Sequence, residues 1–135
     1  MVHYEGEITK AVVLALFIPL IISSGGNSGS QASTFVVRAM ALREIQLKDW
    51  WRVFFRELLT GLCLGLILGV IGMARIYFWP NAAAIYGPHY DLVALTVATS
   101  LVGIVLWGSL SGSLLPFLLK LAKLDPATAS APFVA

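Results

Sequence analysis

The sequence predicts an all-α, multi-pass transmembrane helical bundle with one discontinuous, glycine-rich helix. Three observations predict it. Of 135 residues, 59% are hydrophobic and only 12% are charged, about half the charge of an ordinary soluble domain. Mean hydropathy is +0.87. Long stretches carry no charge, and one of them, from Lys10 to Arg38, is interrupted by the polar run Ser23 to Ser33. A soluble core of this size has no room for so much apolar surface.

The polar run reads SSGGNSGSQAS. Gly25, Gly26 and Gly29 favour non-helical geometry. Ser23, Ser24, Asn27, Ser28, Ser30 and Gln31 offer polar side chains to the backbone or to a ligand. At membrane depth an irregular backbone is tolerated only inside protein or against a watery cavity. The apolar runs on either side, Ala11 to Ile22 and Ala32 to Leu42, are each too short to span alone, since about 20 helical residues are needed. Together they predict one span over roughly 8–42, broken at 23–31, with Pro19 loosening the helix a turn earlier.

Arg43 to Arg56 predicts an interfacial loop leading into a second helix. Trp50 and Trp51 suit the headgroup level, and Asp49 is the expected N-cap. The second span is expected over 53–79. Within it Gly61, Gly65 and Gly69 recur every four residues and predict close helix packing, against the simpler reading that glycine is common in membrane helices. Tyr77 to Tyr90 is an aromatic loop with turn signals at Pro80, Asn81, Gly87 and Pro88. A third span over 91–123 contains Gly108 and Gly112, another packing pair, and Pro116, a possible kink. Residues 132–135 read as the start of a further helix.

Basic residues set the orientation. Arg38, Arg43, Lys48, Arg52 and Arg56 lie between the first two spans, and Lys120 and Lys123 follow the third. That side is expected to be cytoplasmic, which places the first span outside to inside and calls for a span before it. No basic signal-peptide start precedes the first apolar run. Cys63 has no partner for a disulfide or a cysteine metal cluster. His3 and His89 read as solvated residues. The net charge of +2 gives no reason to expect nucleic acid.

The polar break has three readings. Backbone carbonyls of Gly25, Gly26 and Gly29 with the Asn27 amide oxygen form a lining of hard oxygen ligands for a hydrated divalent cation, since magnesium gives up its water reluctantly. Half-helix N-termini suit an anion instead. The third reading is a kink with packing serines. No carboxylate lies within the apolar runs, and no Walker loop or nucleophilic cluster points to ATP coupling or an enzyme.

The run from Ala15 to Arg38, with Phe17-Ile18-Pro19, Gly25-Gly26-Asn27, Gly29, Gln31 and Arg38, resembles the second membrane segment of the MgtE magnesium transporter/channel family. Leu42 to Ile45, Asp49 to Arg52, Arg56-Glu57 with Gly61 and Gly65, Leu115 to Lys120, Asp125 to Ala127, and Ser130 with Pro132 to Val134 resemble it further. The resemblance implies gradient-driven passage of Mg²⁺ as the transported ion, through a homodimer in the inner cell membrane with five helices per subunit and cytoplasmic regulatory domains. It implies that Asn27, Gly25, Gly26 and Gly29 line the path. By that likeness the chain corresponds to the second to fourth helices and the start of the fifth. The fifth-helix aspartate that binds the ion in the family is missing, so the chain is expected to be incomplete as it stands. Membrane lipid and either a second copy or companion helices are the expected partners. The alternative is a non-conducting fragment or assembly subunit that keeps the family fold.

Overall fold

A computed structural model describes residues 12 and 14–129 of the chain. The expected start of the first span and the expected further helix at 132–135 lie outside the described residues, as does His3. All described secondary structure is helical: α1 (Ile18–Ala41), a 3₁₀ turn (Leu47–Asp49), α2 (Trp50–Tyr77), α3 (Ala82–Tyr86), α4 (Tyr90–Leu121) and α5 (Pro126–Ala129).

Two described helices are long and apolar enough to cross a membrane, one comprising α2 with its leading 3₁₀ turn and the other α4. At 1.5 Å per residue, α2 and α4 reach about 42 and 48 Å, against a hydrocarbon core of about 30 Å. α1 has 24 residues, enough length to span, but its polar middle keeps it outside that pair. The distribution of side chains is that of a membrane protein. Leu59, Val70 and Trp107 are 65–70% exposed, whereas the middle of the bundle is packed largely through Gly, Ser and Ala, with larger apolar residues at its ends.

α4 is the middle helix. α1 and α2 both pack along it and hardly touch each other. Gly25 meets Gly108 and Gly29 meets Gly112, so α1 and α4 run parallel. Gly61 meets Leu106 and Ser109, Gly65 meets Val102 and Gly69 meets Ala98, so α2 and α4 run antiparallel. This places Arg38, Arg43, Lys48, Arg52, Arg56, Lys120 and Lys123 at one end of the bundle.

Two apolar clusters flank the small-residue waist. At the basic end Val36, Met40, Val53 and Phe117 pack together with Ile45 and Leu47. At the other end Phe17, Ile76, Tyr86, Ala94, Val97 and Leu101 do so, with α3 docked through Tyr86, whose ring lies 6.1 Å from that of Phe17. There Arg75 covers the Trp79 ring at 3.6 Å.

α1 corrects the expectation of a discontinuous helix. It runs unbroken through Ser23–Ser33. The polar side chains do not pull the backbone out of the helix but fold back onto it. Ser24 donates to the Leu20 carbonyl at 2.7 Å and Thr34 to the Ser30 carbonyl at 2.8 Å, the i−4 pattern open to hydroxyls within a helix. The interruption lies earlier, at Leu16–Phe17. Pro19 lacks an N–H and its ring crowds the carbonyl four residues back. The Phe17 N–H bonds Leu14 at 3.0 Å, a tighter i−3 step, and Phe17 then caps α1.

The connection from α1 to α2 is held by local bonds. Asp49 precedes α2, yet its carboxylate accepts from the Gln46 N–H at 2.9 Å and so closes the 3₁₀ turn rather than capping α2. α1 and α4 end alike. The Glu44 N–H bonds Ala39 and the Arg43 N–H bonds Met40. Leu124 and Lys123 do the same with Leu119 and Lys120. These are Schellman endings, with Arg43 (φ 60°) and Lys123 (φ 59°) in the left-handed position that glycine usually takes.

Candidate functional site

The polar stretch of α1 has two faces with different duties. Gly25, Ser28, Gly29, Ala32 and Ser33 are buried and turn toward α4. A Cβ on Gly108 would strike the carbonyl oxygen of Gly25, and one on Gly112 would strike that of Gly29. A Cβ on Gly25 would sit 2.6 Å from Cγ1 of Ile104. Between these contacts the Ser28 and Ser109 hydroxyls share a buried hydrogen bond of 2.5 Å. Ser109 also faces α2, its Cβ lying 3.1 Å from where a Gly61 Cβ would stand. Ser109 thus faces both α1 and α2.

The opposite face carries Ser23, Asn27, Ser30, Gln31, Thr34 and Arg38. Steps of three and four residues align them along one side of a 3.6-residue helix. All are exposed except Ser30, which is half-buried. Asn27 donates through Nδ2 to Oγ of Ser23 at 3.3 Å, one turn back. The Asn27 amide oxygen is left directed outward as a hard oxygen acceptor. No acidic residue lies on α1, and the described residues hold no group of three or more His, Cys, Asp or Glu placed to grip a metal. The stripe therefore offers neutral hydrogen-bonding groups along its length and one positive charge, Arg38, at its end.

The structure separates the four residues expected to act together. Asn27 is on the outward stripe. Gly25 and Gly29 are on the α4 face and Gly26 is half-buried at its edge. With the helix intact, their carbonyls are committed to the helical ladder and do not join Asn27. The lack of a side chain serves close approach instead. Along α2, Gly61, Gly65, Gly69 and Gly72 all turn to α4, with Gly65 so near that an added Cβ would be 2.9 Å from the Val102 Cα.

Sequence reasoning missed Thr34 and Arg38 as members of the stripe, although Ser30, Thr34 and Arg38 recur every four residues beside the Ser23, Asn27, Gln31 series and signal both. It also missed the Ser28–Ser109 bond. The matching glycine pairs Gly25/Gly29 and Gly108/Gly112, each bracketing or adjoining a serine, were the available signal.

A family model described as a divalent cation transporter, MgtE, matches residues 18–135. The chain is 38% identical over 132 residues to a magnesium transporter MgtE of Thermus thermophilus, and 30% identical to those of Bacillus subtilis and Enterococcus faecalis. Each alignment covers 98% of this chain and 27–28% of the relative. The chain thus spans little more than a quarter of the length of these relatives. This similarity across nearly all its residues places the chain in the MgtE family of divalent cation transporters.

Proposed function

We propose that the outward stripe of α1 lines a path for a hydrated divalent cation, chiefly Mg²⁺, moving down its electrochemical gradient. The observation that supports this is the placement of Ser23, Asn27, Gln31 and Thr34 on the exposed face of a helix whose neighbours expose Leu, Ile and Val. Hydroxyls on a helix can satisfy themselves on the i−4 carbonyl, as Thr34 does. The amides of Asn27 and Gln31 cannot satisfy all their donors and acceptors this way. Facing hydrocarbon, each unmet group costs several kcal/mol, by the order of magnitude for such groups. Facing a water-filled path they cost nothing and accept hydrogen bonds from waters of the passing ion.

Magnesium holds its waters tightly, so the Asn27 oxygen would accept from a coordinated water rather than displace it. The relatives are named magnesium transporters, which supports the choice of ion. A second copy of the chain or companion helices would supply the opposite wall of the path, with lipid around the rest. The basic end, by the positive-inside rule, faces the cytoplasm of a cell whose inner membrane the bundle crosses more than once. A non-conducting assembly role is the second reading, favoured by the lack of any carboxylate on the described stripe.

The test is Mg²⁺-dependent growth of a transporter-deficient bacterium expressing the chain, beside an Asn27→Ala variant. Rescue that the variant loses supports the path. Membrane insertion without rescue supports the assembly role.

A further inference from the structure

Between the basic ends of α1 and α2 lies an open cavity of about 340 Å³. Its lining is unlike the rest of the bundle surface. Arg38 and Arg56 stand on it with Glu44 and Glu57, over apolar walls that include Phe35 and Val53. Two cations and two anions thus share one hollow, yet among the described residues none of the four makes an ion pair. Glu57 is half-buried, on the first turns of the apolar helix α2, without a hydrogen-bond partner for its carboxylate.

The level of this cavity is that of the lipid headgroups. Trp50 and Trp51 sit at the same end, both exposed and ring to ring at 5.1 Å, as interfacial tryptophans do. Six further facts of chemistry narrow the occupant to one. A guanidinium matches a phosphate with two parallel hydrogen bonds. A primary ammonium carries three N–H donors for carboxylates. A quaternary ammonium has none. A glycerol headgroup brings no cation for Glu44 and Glu57. An acyl chain suits the Phe35 and Val53 wall. A purely anionic ligand would leave two carboxylates facing a like charge.

From these we propose that the cavity binds a zwitterionic phospholipid with a primary amine, its phosphate against Arg38 and Arg56 and its ammonium against Glu44 and Glu57. The site adjoins the basic end of the α1 stripe, with which it shares Arg38, and its test reads lipid retention rather than transport.

The test is native mass spectrometry of the full chain in detergent, titrated with phosphatidylethanolamine, phosphatidylcholine and phosphatidylglycerol of identical acyl chains. The ethanolamine lipid is retained about tenfold over the other two, the consequence of one charge-assisted hydrogen bond kept or lost. Glu57→Gln, nearly isosteric, erases the preference for ethanolamine over choline. Arg56→Gln lowers retention of all three. Equal retention of the three lipids by the unaltered chain overturns the proposal, and so does a preference for the glycerol lipid. An undiminished ethanolamine preference in Glu57→Gln does the same.

Discussion

Ser28 of α1 and Ser109 of α4 share a buried hydrogen bond, and Ser109 also faces Gly61 of α2. One hydroxyl donates and the other accepts. Ser109→Ala removes the bond and leaves the Ser28 hydroxyl to turn back on its own helix. The expected loss is about 1 kcal/mol, the scale of interhelical hydrogen bonds in membranes. Unfolding of the purified chain in graded denaturing detergent measures it, and no change would show that close packing alone holds α1 to α4.

Gly112 and Gly103 lie on the same helix with opposite surroundings. A Cβ at Gly112 meets the Gly29 carbonyl, whereas one at Gly103 meets nothing within 4 Å. Gly112→Ala therefore pushes α1 off α4 and costs about 1–3 kcal/mol as an overpacked contact. Gly103→Ala is neutral or gains up to about 1 kcal/mol from helix propensity. The same unfolding assay compares the two, and equal effects would contradict the α1–α4 contact.

Lys123 occupies a left-handed position at the end of α4. Such a conformation costs a non-glycine residue about 1–2 kcal/mol. Lys123→Gly is expected to stabilise α4's end by up to about 1 kcal/mol, part of the gain being lost to glycine's greater freedom when unfolded. Slower amide exchange at Ala122 and Leu124 is the readout.

Asn27 is exposed, and among the described residues its side-chain hydrogen bond goes to Ser23 on its own helix. Asn27→Ala is expected to leave stability within about 0.5 kcal/mol, as surface changes do, while Mg²⁺ uptake into vesicles falls at least tenfold, about 1.4 kcal/mol in the barrier. A fall in uptake matched by a fall in stability would assign Asn27 to the fold instead.

Much of the architecture is legible before any coordinates. Charge-free runs and low charge content mark the membrane helices. The four-residue spacing of Gly61, Gly65 and Gly69 puts them on one face by helix geometry alone. Which helix that face meets is a long-range fact, and no local rule supplies Val102 as the neighbour of Gly65. The polar run of α1 misleads for a related reason. Gly25, Gly26 and Gly29 are poor helix formers in isolation, but the glycines at 108 and 112 let α4 approach so closely that the helix is held by its neighbour. Pro19 does interrupt the chain, on its N-terminal side, because the missing N–H and the clash both act backwards. The stripe containing Asn27 is legible from spacing. The apparent site built from glycine carbonyls is not, because it presumes a break that tertiary packing removes.

The most direct measurement is thiol accessibility along α1. In a Cys63→Ser background, single substitutions Ser23→Cys, Asn27→Cys, Gln31→Cys and Thr34→Cys are treated in membranes with a charged, membrane-impermeant thiol reagent. Val70→Cys, on the exposed apolar face of α2, is the lipid-facing reference. If the stripe lines a watery path, its four positions react well above the reference and Mg²⁺ slows the reaction at Asn27→Cys. If all four react no faster than Val70→Cys, the stripe faces lipid or protein and the path lies elsewhere.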